Sequence, residues 1–270
     1  MDTSLKLKIS KLVTNIKSSW QHQQQKKAAR QKQKMLTKEL VRTVKNPPEN
    51  AVAKIAELVV AGADINTFDM DKERSLLHYA AEQNRMDLVN ALMENGCKTY
   101  INVNDCYGKD PAFYAIDNNN AEMLDYLLAN GVSTNRPADF NLDSSLRYAV
   151  CSGNVEMVKI ELKHGADIND HVGESFKLYD QYQKTYPGPT PLAEIIGGQG
   201  KDGEIVSKKY DTEMIEFLLQ NGARTDIKDS YGNDISRIDT SDKVKQLLQN
   251  QGKVADSVLN AALAKKAKTL

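Results

Sequence analysis

A short apolar segment closed by glycine returns six times along this chain, and few folds accommodate such a pattern. It reads Leu58-Val59-Val60-Ala61-Gly62, Ala91-Leu92-Met93-Glu94-Asn95-Gly96, Tyr126-Leu127-Leu128-Ala129-Asn130-Gly131, Ile160-Glu161-Leu162-Lys163-His164-Gly165 and Phe217-Leu218-Leu219-Gln220-Asn221-Gly222, with a last copy ending at Gly252. The glycines lie 34, 35, 34, 57 and 30 residues apart. A fixed period of this size is the mark of stacked supersecondary units.

About twenty residues before Gly96, Gly131 and Gly165, and 32 before Gly222, a second feature opens another short helix: Ser75-Leu76-Leu77-His78, Asp110-Pro111-Ala112-Phe113, Ser144-Ser145-Leu146-Arg147 and Thr190-Pro191-Leu192-Ala193. Ser, Thr or Asp accepts hydrogen bonds from free N–H groups of the first turn, and Pro fits the first helical position. Glycine after the second helix supplies the left-handed residue that ends it. The unit is therefore helix, tight turn, helix and an extended link, and one unit cannot bury its apolar face without neighbours.

Ser75–Ala81, Thr190–Leu192, Gly62–Asn66 and Gly165–Asn169 resemble the ankyrin repeat, whose pattern runs Thr-Pro-Leu-His-x-Ala-Ala and then Gly-Ala-Asp-x-Asn. Tyr107-Gly108 and Tyr231-Gly232 match the glycine of its β-turn. The resemblance implies an all-α ankyrin-repeat solenoid with β-hairpin fingers and helical extensions at both ends. It covers 36–252 as about six repeats, preceded by a basic, Gln-rich extension over 1–35 and followed by a tail over 253–270. The 57-residue interval exceeds 34 by 23, which places insertions near 170–189 and 197–209. Degenerate, Asn- and Lys-rich repeats with charged ends also resemble secreted effectors of intracellular bacteria, which would put the protein in a host cytosol.

Net charge is zero, yet residues 1–45 hold 12 Lys/Arg against two acids, leaving 24 basic and 34 acidic residues elsewhere. A basic arm on an acidic body concerns partners rather than fold. Three cysteines without C-x-x-C spacing fit a reducing compartment. No apolar run is long enough to span a membrane, and the N-terminus does not read as a signal peptide. A cytoplasmic protein, monomeric, is expected.

Catalytic chemistry finds little support. His78 occupies the position where the family's histidine braces the turn, with Ser75 as partner. The histidines and cysteines form no metal-ligand spacing, so neither metal nor cofactor is expected. Gly198–Gly203 matches G-x-G-x-x-G, but it follows a helix inside an insertion rather than a strand, so it reads as a loop. Enzymatic activity at the insertions stays open as an alternative without a named residue.

Binding features are better defined. The family's recognition face comprises finger tips and the ends of each first helix. Carried onto this chain, it comprises Lys72, Arg74, Tyr107, Lys109, Phe140, Asn141, Tyr186 and Tyr231 at the tips, with Tyr179 and Tyr182 in the first insertion. Glu82, Gln83, Asp117 and Asn118 supply the helix ends. Aromatics at four of five tips, where turn chemistry needs none, point to a protein partner. Tyr79, Tyr114 and Tyr148 recur at one repeat position and are expected as partly buried structural residues.

Leu5, Ile9, Leu12, Ile16 and Trp20 form one helical stripe flanked by lysines. It could cap the first repeat, lie on an anionic membrane through residues 5–20, or dock with a partner. The following run, Gln21–Lys34, lacks aromatics between its charges, so nucleic acid is not the expected partner.

Overall fold

The computed structural model describes residues 3–134, 144–170, 190–196, 212–226, 235 and 242–250, with side chains from residue 12 onward. The chain divides into two compact units, Met1–Tyr107 and Gly108–Leu270.

In the first unit, α1 (Thr3–Lys45) packs on α2 (Ala51–Val60) and α3 (Leu76–Glu82), and α2 and α3 both pack on α4 (Met86–Glu94). Strands β1 (Phe68–Asp69) and β2 (Arg74–Ser75) pair antiparallel as a finger, Phe68 opposite Ser75. Nothing between residues 3 and 45 breaks a helix: the first proline is Pro47 and no glycine precedes it. The expected extension and the first repeat's inner helix are therefore one 43-residue helix. Among its described side chains only those of the C-terminal end are packed, with Leu40 and Val44 fully buried. Residues 12–35 are exposed, so Leu12, Ile16 and Trp20 of the apolar stripe do not cap the first repeat; the side chains of Leu5 and Ile9 lie outside those described.

In the second unit, α5 (Pro111–Asp117) pairs with α6 (Ala121–Ala129), α7 (Ser145–Cys151) with α8 (Val155–Lys163), and α9 (Pro191–Ile196) with α10 (Thr212–Gln220). Inner helices α5, α7 and α9 stack in succession, as do outer helices α6, α8 and α10. A further helix, α11, spans 242–250.

The caps are the expected ones. Asp110 Oδ1 accepts from the N–H of Ala112 at 2.8 Å, Ser144 Oγ from Arg147, and Thr190 Oγ1 from Ala193. In the first unit, Ser75 N–H donates to His78 Nδ1 at 3.1 Å, which fixes the ring proton on Nε2, and Ser75 Oγ lies 2.8 Å from the same nitrogen. His78 is fully buried, a structural residue. At the far end of the outer helix, Gly131 (φ +102°) lets Val132 N–H reach Leu127 O. A side chain there would be strained.

One bond reveals how the long interval is accommodated. Asn66 donates to Gly96 O and accepts from the amides of Lys98 and Thr99, tying one repeat's ending to the next. Asn169 makes the same latch to Gly222 O and Arg224 N–H, 53 and 55 residues away. The interval that should have been 34 residues is still one repeat step, and the surplus lies in 171–189 and 197–211, outside the described residues. Fully buried leucines (Leu77, Leu88 and Leu92 in the first unit, Leu124, Leu127 and Leu146 in the second) fill the inter-helix layers. Each contributes about 1.5–3 kcal/mol.

Candidate protein-interaction surface

In the first unit, the finger and the end of α3 converge on Arg74. Its Nε donates to Asp105 Oδ2 at 2.9 Å and its Nη1 to Glu82 Oε2 at 2.7 Å. Its guanidinium also lies 5.5 Å from the ring centres of both Tyr79 and Tyr107. Arg74 was expected to face a partner, but it is 3 % exposed. It is the internal post to which the finger is tied, not a contact residue. Asp105, also buried, accepts from Tyr107 N–H at 2.9 Å, and Cys106 N–H donates to Lys72 O, so the next turn is pinned to this finger. Tyr107 is thereby held 68 % exposed, and Lys72 beside it is exposed.

A second cluster supports the same finger. Lys45 Nζ donates to Asp69 Oδ2 at 2.6 Å, and Tyr79 hydroxyl donates to the same oxygen at 2.5 Å. Burial opposes ionisation of Asp69, but bonds from Lys45, Tyr79 and the Asp71 N–H outweigh it and hold the carboxyl at about 2. Burial also lowers the Lys45 ammonium, yet its bonds to Asp69 and Tyr79 win and raise it above its usual range. Gln83 Nε2 donates to Val44 O and Tyr79 O, bridging the two inner helices.

The second unit repeats part of this chemistry. Lys109 donates to Asp117 at 2.6 Å, the same eight-residue separation as Arg74–Glu82. The Tyr148 hydroxyl donates to Asp117, and Lys109 sits 4.9 Å from the Tyr148 ring and 5.6 Å from that of Tyr114. The bond to Asp117, followed by burial, raises the Tyr148 hydroxyl above its usual range. Asn118 caps α5 through Tyr114 O. The recurrent tyrosines are the packed residues their spacing suggested: Tyr79 and Tyr114 are buried and Tyr148 half-buried.

Of the residues expected to meet a partner, Lys72, Glu82, Tyr107 and Asp117 are exposed, and Gln83, Lys109 and Asn118 half-buried. Phe140, Asn141, Tyr179, Tyr182, Tyr186 and Tyr231 lie outside the described residues. Sequence reasoning passed over Lys45, Asp69 and Asp105 as cluster members. The recurrence of Arg74/Glu82 as Lys109/Asp117, 35 residues on, was the available signal.

Nothing in these clusters has the form of a reactive centre. Among the described residues, no group of three or more His, Cys, Asp or Glu could hold a metal ion. Burial pushes the Cys97 thiol up to about 12, far from a nucleophile's range. Among the same residues no helix is long and apolar enough to cross a membrane.

Stacked helix pairs with braced fingers define a class of recognition scaffold. A family model for ankyrin repeats (three copies) matches residues 28–138 and 77–172, and the chain belongs to the ankyrin-repeat family. Its fold class is the all-α ankyrin-repeat stack, and such repeats are in general protein-interaction modules and typically not enzymes. The chain is 24 % identical over 211 residues to a putative ankyrin repeat protein of Acanthamoeba polyphaga mimivirus, covering 69 % of this chain and 26 % of that protein. It is 28 % identical over 166 residues to the ankyrin repeat protein nuc-2 of Neurospora crassa (57 % and 15 %). With the human transient receptor potential cation channel subfamily A member 1 the identity is 30 % over 164 residues (60 % and 12 %). The chain thus spans about a quarter or less of the length of these relatives.

Proposed function

We propose that this chain recognises a partner protein through its finger tips and inner-helix ends, with Tyr107 as an anchor. The supporting observation is the contrast between the finger and the turn pinned to it: Arg74 is buried among its own carboxylates, while Tyr107 beside it is 68 % exposed. A rigidly held aromatic loses little conformational entropy on binding, which is the character of an interface hot spot. Lys72, Glu82 and Asp117 are charged neighbours on the finger-and-helix-end side of their own units. The acidic balance of the chain beyond residue 45 favours a basic partner surface. The protein acts as a monomer in this reading, and no observation among the described residues favours catalysis.

The test is capture of a partner, then affinity with Tyr107→Ala and, as control, Arg224→Ala, whose pair with Asp226 is exposed and takes no part in the finger brace. Tyr107→Ala should weaken binding by roughly 30-fold (about 2 kcal/mol). Equal affinity of both variants with wild type would remove the finger from the interface. If the chain is a secreted effector, as its degenerate Asn- and Lys-rich repeats suggest, that partner belongs to a host cytosol. A secretion assay in which the protein never leaves the producing cell would dismiss that placement.

A further inference from the structure

We propose that the free portion of α1 is a membrane-surface helix that inserts its apolar stripe into an anionic lipid leaflet. Residues 12–35 are exposed throughout, and at 1.5 Å per residue they form about 36 Å of helix without tertiary support. Lys and Gln favour the helix itself, but it leaves Leu12, Val13, Ile16 and Trp20 in water on one face, an apolar stripe that a surface would cover.

The stripe specifies which. At about 100° per residue, Leu5, Ile9, Leu12, Val13, Ile16 and Trp20 fall within an arc of about 100°. Leu12, Ile16 and Trp20 are 61 %, 60 % and 61 % exposed. The same projection sets Lys17 at one edge of the arc, where its stem can lie on lipid while its head reaches headgroups, and the sequence positions of Lys6 and Lys8 fall at the edges as well. Lys27 continues the arc beyond Trp20, with Lys26 at its edge. Ten Lys/Arg and no Asp or Glu occur between residues 3 and 38.

That charge pattern decides between occupants. A second copy would bring these lysines against their own counterparts with no acid to pair them, and the apolar seam ends after Ile16, where Ser19 and Gln23 would take the next coiled-coil core positions. An anionic leaflet supplies the missing negative charge at every point of the helix, and a tryptophan at the end of the stripe suits the headgroup level.

The chain contains one tryptophan, so its intrinsic emission reports on Trp20 directly. The full-length protein is mixed with phosphatidylserine/phosphatidylcholine vesicles or with phosphatidylcholine alone, and sedimentation and emission are recorded. Binding to the anionic vesicles with a blue shift, and loss of both in Leu12→Glu/Ile16→Glu, is the expected result. Circular dichroism checks that this variant keeps the fold, whose packed residues the changes do not touch. With roughly fivefold affinity per basic residue at such a surface, Lys17→Gln/Lys26→Gln/Lys27→Gln should bind roughly a hundredfold more weakly. The proposal is overturned if the wild type ignores both vesicle types, or binds without a shift in emission. Equal binding by Leu12→Glu/Ile16→Glu overturns it too. A concentration-dependent shift without lipid, accompanied by a dimer in sedimentation, would assign the stripe to a second copy instead.

Discussion

Asp105→Ala is the substitution that tests most directly whether the buried charges brace the first finger. Asp105 has no exposed side-chain surface and Arg74 only 3 %, so their 2.9 Å ion pair is screened very little by water. Removing the carboxylate leaves the guanidinium with Glu82, which is 45 % exposed and a weaker partner, and takes away the acceptor of Tyr107 N–H. Breaking a buried pair from one side costs about 3–5 kcal/mol, because an uncompensated charge stays inside. Asp226→Ala is the internal control: its pair with Arg224 has side chains 60 % and 72 % exposed, so water screens it and its loss should leave stability unchanged within error. Urea unfolding followed by circular dichroism gives both losses, and hydrogen exchange of the α3 amides shows where the first is felt. Arg74→Met/Asp105→Leu should recover most of the loss, since it removes the desolvation cost along with the attraction. A loss below about 1 kcal/mol for Asp105→Ala would refute the brace, whatever the double variant does.

Three further outcomes follow from the same geometry. Asp69 titrates at about 2 instead of its ordinary 3.8, so its contribution of about 2 kcal/mol is complete above pH ~4 and disappears as pH falls toward 2. Asp69→Asn should flatten the acid limb of a stability–pH profile across that window, and an unchanged limb would count against the Lys45–Asp69–Tyr79 cluster. In a native thiol titration Cys106 and Cys151, both exposed, should react promptly, whereas buried Cys97 should react only on unfolding; early modification of three thiols would contradict the packing of α4. Leu127→Ala empties a fully buried site in α6 and should cost about 2–5 kcal/mol in urea unfolding. A loss under 1 kcal/mol would mean that the repeat register is misplaced.

Local chemistry was legible in the sequence, and chemistry that depends on stacking was not. Asp110, Ser144 and Thr190 act within three residues of themselves, so their caps follow from pattern alone. The glycine ends and the packed tyrosines follow in the same way. Lys45–Asp69 and Arg74–Asp105 join residues 24 and 31 apart, and only the register of neighbouring repeats brings them together. Arg74 illustrates the consequence: at a finger tip it reads as an exposed cation, whereas the next turn folds over it and supplies a buried carboxylate. The division at residue 35 followed a change of composition, but helices end at breakers, and the first ones are Pro47 and Pro48.

The buried clusters also bear on how recognition works. If Arg74, Asp69 and Lys45 were free, each would have to shed water and lose side-chain freedom at the moment of binding. With Lys45 bound to Asp69 and Arg74 bound to Asp105 and Glu82, that cost is met during folding, and a finger that binds as proposed would meet its partner already rigid. What remains exposed on it is a small set, Lys72 and the Tyr107 ring among them. In the proposed reading, specificity would rest on residues whose replacement leaves the brace intact, and the brace itself recurs one repeat on, where Lys109–Asp117 keeps the eight-residue separation of Arg74–Glu82.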